Sequence, residues 1–101
     1  MAYRVLFSPK SVEDIDSVVE FYYIQSERAA EIVYHSIISR AETLEDYPER
    51  GRMVPEFLDE GIRQYRELIE GNFRIIYKIV DKSVVVLRII DSRQLNDMKM
   101  E

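Results

Sequence analysis

A chain of 101 residues with 47% apolar side chains can bury one modest core and leaves no room for a second, so residues 1–101 are expected to form one domain. With 14 basic and 19 acidic residues the net charge is −5, which opposes bulk attraction to a nucleic-acid backbone. There is no cysteine, which excludes disulfides and thiolate metal sites.

The opening residues MAYRVLFSPKS hold no basic stretch followed by an apolar run, so no signal peptide is expected. The longest apolar runs, 75–77 and 84–87, are too short to span a bilayer. The expected location is the cytoplasm, with no membrane partner. Residues 2–7 read as a short strand from their β-branched and aromatic content. Ser8 and Pro9 then suit the cap and first position of a helix. Its apolar stripe is Val12, Ile15, Val18, Val19 and Tyr22, while Glu13, Asp14, Asp16 and Glu20 are expected to face away and to complement the helix dipole.

Gln25 and Ser26 mark a break, with Ser26 a cap for a second helix whose stripe is Ala30, Val33, Ile37, Ile38, Ala41 and Leu44. Pro48 ends it, and two helices joined so tightly form an antiparallel hairpin. Residues 48–61 carry two prolines and two glycines and read as a loop. Residues 62–70, 72–80 and 83–91 are three strand-like runs joined by short polar connectors at 70–72 and 81–83, a β-meander. The tail 94–101 is polar and too short for a dependable helix.

The order β-α-α-β-β-β predicts an α+β fold: a four-stranded, mostly antiparallel sheet with two helices on one face and the other face left for function. Residues 1–49 hold four basic and ten acidic side chains, whereas residues 61–93 hold seven basic and four acidic, so positive charge gathers on the sheet. Only three glycines occur and none are clustered, which excludes a phosphate-binding glycine loop. Glu13, Asp14, Asp16 and Glu20 fit a solvated helix face and have no histidine among them, so neither a metal nor a small-molecule cofactor is expected.

Three motifs lie on these elements. Tyr65-Arg66-Glu67-Leu68 follows a loop of pattern Gly51-Arg52-x-Val54-Pro55-Glu56-Phe57; Phe73-Arg74-Ile75-Ile76-Tyr77-Lys78 has the form aromatic-Arg-Ile-Ile-Tyr-basic; and Ile89-Ile90-Asp91-Ser92-Arg93 closes the last strand. In this order and on these elements they resemble the RelE/ParE superfamily of toxins from type II toxin–antitoxin systems, over roughly residues 4–93. The resemblance implies a growth-inhibiting stress or plasmid-maintenance toxin, with a cognate antitoxin as partner. It also implies one of two targets: RelE-like members are endoribonucleases that cut messenger RNA in the ribosomal A site, whereas ParE-like members inhibit DNA gyrase. A degenerate toxin that only binds its antitoxin is a third reading. Asp91 stands where many relatives carry histidine, and Tyr65 and Glu67 stand where RelE-like ribonucleases carry lysines. The tail 94–101 is not expected to supply the C-terminal helix whose tyrosine assists cleavage in those enzymes.

Strand alternation places Phe73, Ile75, Tyr77 and Ile79 on one face and Arg74, Ile76, Lys78 and Val80 on the other. An arginine in so apolar a strand needs a partner, either a structural ion pair with Glu67 or Asp91 or a phosphate or carboxylate to clamp. Arg66, Arg88 and Arg93 would complete such a clamp, with Tyr65 and Tyr77 as proton donors, base-stacking platforms or core filling. Arg52, Arg63, Lys78 and Arg88 are the further candidates for contact with the target. The single histidine, His35, reads as a residue of the helix surface or core edge. Apolar surface left exposed on the sheet or hairpin is expected to receive an antitoxin segment, with acidic residues near the arginines.

Overall fold

In the computed structural model, which describes residues 2–92, Ser8 caps the first helix as its sequence position suggests. Its hydroxyl accepts the Ser11 amide at 3.1 Å, and Pro9 takes the first helical position. Strand β1 (Arg4–Phe7) leads into α1 (Pro9–Tyr23), and Ser26 caps α2 (Glu27–Glu42) through the Ala29 amide at 2.9 Å. A 3-10 turn, Thr43–Glu45, continues α2 and brings Leu44 into the core. Then come β2 (Arg52–Met53), the one-turn helix α3 (Pro55–Leu58), β3 (Arg66–Glu70), β4 (Phe73–Val80) and β5 (Ser83–Asp91).

The strands form one sheet in the order β1-β5-β4-β3-β2, with β1 parallel to β5 and every other pair antiparallel. A parallel pair cannot be closed by a tight turn, and here the helical hairpin and the meander lie between its strands. The β3–β4 and β4–β5 turns place Gly71 and Asp81 at φ +58° and +55°, the left-handed region open to glycine and tolerated by aspartate.

The helices cover one face. Ile15, Ile37, Ala41 and Leu44 pack there against Leu68, Phe73, Ile75, Tyr77, Val84, Val86 and Ile89. The stripe of α2 is as the spacing predicts. On α1, Val12 is exposed and Ser11 is buried in its place, its hydroxyl donating to the Ser8 carbonyl at 2.8 Å.

Other expectations also need correction. The sheet has five strands, because Arg52 and Met53 pair with Glu67 and Arg66 inside what reads as a loop. The first of the three predicted runs begins at Arg66 rather than at residue 62, because the chain from 54 to 65 crosses the open face. There Val54, Ile76 and Ile90 form a second small core with Phe57 and Tyr65 against them, so that face is partly roofed. Finally, the first turn of α1 contains no acidic residue, and Asp14 does not face solvent. A bulge sets Ile76 opposite Arg88 and Tyr77 opposite Val86, leaving Leu87 as the extra residue, so that Val86 and Ile89 both face the helices. Beyond the end of β1 the edge of β5 would be bare. Asp14 closes it by accepting the Ile89 amide at 2.9 Å and the Arg88 guanidinium at 2.7 and 3.2 Å.

Candidate functional site: an arginine–glutamate chain on the roofed face

Alternation along β3 puts Glu67 and Ile69 on the face away from the helices, beside Ile76 and Arg74 of β4. The Glu67 side chain is fully buried (0% exposed), a position a carboxylate holds only when both oxygens are paired. One oxygen accepts Arg52 Nε and the other accepts Arg74 Nε, each at 2.7 Å. The remaining end of Arg74 points to α3, where its two terminal nitrogens donate to the two oxygens of Glu56, both at 2.8 Å. Arg52, Glu67, Arg74 and Glu56 thus form a chain of alternating charge. Arg74 is 14% exposed, while its outer neighbours Glu56 and Arg52 are 50% and 62% exposed.

The Arg74 fork holds the Glu56 carboxyl down to about 2, well below the ordinary carboxylate range, and Glu56 and Glu67 together raise the pKa of Arg74. Of the two acids named as structural partners for Arg74, Glu67 takes that place. Glu56 joins from the segment read as a loop, and nothing periodic in the sequence announces it.

The other candidates are dispersed rather than gathered. Arg66 lies on the helix side of β3, where its Nη1 donates to the carbonyls of Gly51 at 2.8 Å and Glu49 at 3.2 Å. Arg88 is held by Asp14. Tyr65 stacks at a tilt on Phe57, centroids 4.9 Å apart. Arg63 is exposed and Lys78 half-buried, and neither pairs with an acid among the described residues. Arg93 lies outside the described residues. His35 is exposed on α2, its ring edge-on to Tyr34.

Tyr77 is wholly buried on the helix side. Its hydroxyl donates to the Pro48 carbonyl at 2.7 Å and accepts the Gly51 amide at 3.0 Å, pinning the chain between α2 and β2. Burial raises its pKa above the ordinary 10. Tyr77→Phe is therefore expected to cost about 1–3 kcal/mol in urea unfolding, since two buried backbone groups lose their partner. The same shift sets a pH limit. Because the folded pKa is raised, the stabilisation is complete below pH 10 and is lost as pH rises through the higher folded value, a loss the phenylalanine variant should not share. Equal stability of the two proteins in urea would contradict this placement of the hydroxyl.

Among the described residues no cluster of three or more His, Cys, Asp or Glu is placed to hold a metal ion, and no helix is long and apolar enough to cross a membrane. The chain Arg52–Glu67–Arg74–Glu56 presents a guanidinium fork engaged with carboxylates and contains no histidine.

The sequence profile of a family described as the ParE toxin of the type II toxin–antitoxin system parDE matches residues 5–96. Among curated protein sequences, none matches the chain. Among the solved structures that share its fold are two toxin–antitoxin systems. One, described as a chromosomal ParDE toxin–antitoxin system from P. aeruginosa, superposes with a TM-score of 0.74 at 17% identity, covering 89% of this chain and 96% of that one. The other, the toxin–antitoxin complex RelBE2 from Mycobacterium tuberculosis, gives a TM-score of 0.66 at 21% identity, covering 90% and 92%.

Proposed function

The chain belongs to the ParE toxin family of type II toxin–antitoxin systems, and from that premise we propose that it arrests growth by binding its target, DNA gyrase, rather than by cutting messenger RNA. The observation that carries this reading is that, among the described residues, Arg66, Arg74, Arg88 and Tyr77, four that a ribonuclease would draw on, are already engaged. Arg74 is occupied by Glu67 and Glu56, Arg88 by Asp14 and Arg66 by backbone carbonyls. The Tyr77 hydroxyl is spent on Pro48 and Gly51, and the single histidine lies on the helical layer. Cleavage through a 2′-hydroxyl needs a base, an acid and a charge clamp in one place, and inhibition by binding needs none of these.

A cognate antitoxin is the partner assigned with this function. Both structural relatives are toxin–antitoxin systems, and this chain leaves Phe21, Tyr23 and Ile24 exposed at the hairpin tip and Ile69 exposed beside Arg74. The test is induced expression with and without the antitoxin, followed by assays on purified protein. Growth arrest relieved by the antitoxin, lost gyrase supercoiling and uncut RNA, both naked and on ribosomes, are the expected results. Site-specific cuts in ribosome-bound messenger RNA with supercoiling intact would overturn the binding mechanism.

A further inference from the structure

Arg74 is built like a receptor with its ligand already seated. Its Nε is tied to Glu67, a carboxylate with no exposed side-chain surface, so the plane of the guanidinium is set by the sheet. The two terminal nitrogens face outward and are satisfied by Glu56 in the bidentate geometry that a free carboxylate would adopt. Glu56 itself is weakly tethered. Its side chain is half exposed, it sits on a single helical turn with no side-chain cap, and its neighbours Pro55, Leu58, Asp59 and Glu60 are all exposed. Rotating it away breaks two hydrogen bonds at the surface and disturbs little of the small core, to which Phe57 is the contributor from α3.

We propose that the Arg74 fork is a docking site for one acidic side chain of a partner polypeptide, and that Glu56 is the internal competitor which that side chain displaces. The inference rests on the antitoxin reading above and names the contact that the antitoxin makes. Charge supports a single carboxylate as the guest. With Glu56 seated, two arginines face two glutamates; with Glu56 out, the group carries one excess positive charge, which one incoming carboxylate restores to neutrality. The surroundings favour a polypeptide over a phosphodiester backbone. Ile69, 45% exposed, is the cross-strand neighbour of Arg74, and Leu58 and Ile62 are exposed on the covering segment, an apolar rim that an acidic-apolar segment can cover. A net charge of −5 opposes nucleic acid.

The experiment is calorimetric titration of the full chain with the small protein encoded by the adjacent gene. Glu56→Gln keeps the shape and removes the competing charge, so it should bind the antitoxin about tenfold more tightly, because a receptor filled by its own ligand binds an outside one only in its open fraction. Arg74→Lys retains the charge without the fork and should abolish the gain when combined with Glu56→Gln. Circular dichroism and thermal melts check that each variant is folded. If the wild type forms the complex and Glu56→Gln binds equally or more weakly, the competitor inference fails and the antitoxin reading stands. If neither protein forms a complex, both fail. Should Glu56→Gln gain affinity for a labelled single-stranded oligoribonucleotide and not for the antitoxin, the guest is a phosphate and the proposal is overturned.

Discussion

Gly51→Ala is expected to destabilise the protein by about 3 kcal/mol, the upper part of the usual range for forcing an atom into a filled interior. A β-carbon at position 51 would stand 2.5 Å from the Tyr77 hydroxyl, 2.6 Å from the Glu67 carbonyl oxygen and 2.9 Å from Tyr77 Cε1. None of these neighbours can give way. The tyrosine ring is fully buried, and the carbonyl belongs to β3, which pairs with β2 at Arg52 and Glu67. The requirement for glycine is therefore one of space rather than of backbone conformation. Urea unfolding of Gly51→Ala beside Gly51→Ala with Tyr77→Phe separates the contributions. Removing the hydroxyl relieves the nearest contact and leaves the one with the carbonyl, so the double variant should stay well below Tyr77→Phe alone. An alanine variant as stable as the wild type would mean that the chain from 48 to 51 does not lie against Tyr77.

Glu67→Ala should cost about 2–3 kcal/mol, below the 3–5 kcal/mol seen when one member of a fully buried pair is removed, because Arg74 keeps Glu56 and Arg52 can turn to water. Desolvated charge is what makes the single change harmful. Glu67→Leu with Arg74→Met should thus recover most of the loss by extending the apolar patch of Val54, Ile76 and Ile90. Chemical denaturation of both variants tests this, and a double variant less stable than Glu67→Ala would show that the charges contribute more than their desolvation costs. Read together with the antitoxin titration, the comparison separates what the arginine–glutamate chain does for the fold from what it does for binding.

The parts of the molecule that could be read from residue order are those written in local chemistry. Ser8 and Ser26 start helices because a side-chain oxygen reaches an amide three residues on, Pro9 suits the first helical position, and the stripe from Ala30 to Leu44 names the face that α2 buries. Alternation along β4 separated Arg74 from Tyr77 and left Glu67 or Asp91 on a neighbouring strand as its ion partner, of which Glu67 takes the place. Half of the candidate site was legible for that reason. The other half was not, because its partners are set by how elements meet. Glu56 reaches Arg74 across 18 residues only because the chain from 54 to 65 folds over the open face. Asp14, with the spacing of a solvated helix face, meets Arg88 only because β5 carries a bulge and outruns β1.

By itself, then, the sequence determined β1, the helical hairpin and the three-stranded meander, their order, the α+β class and the family, since caps, periodicity and short motifs act over a few residues, whereas β2 and α3 went unread inside the loop. The tertiary structure alone decided that the arginines are dispersed rather than gathered, that Tyr77 ties down a loop, and that the open face carries a roof with an acidic side chain in it. Those outcomes turn on register, a bulge and a strand edge that needed covering, and a long-range contact leaves no period in the chain for sequence reading to find.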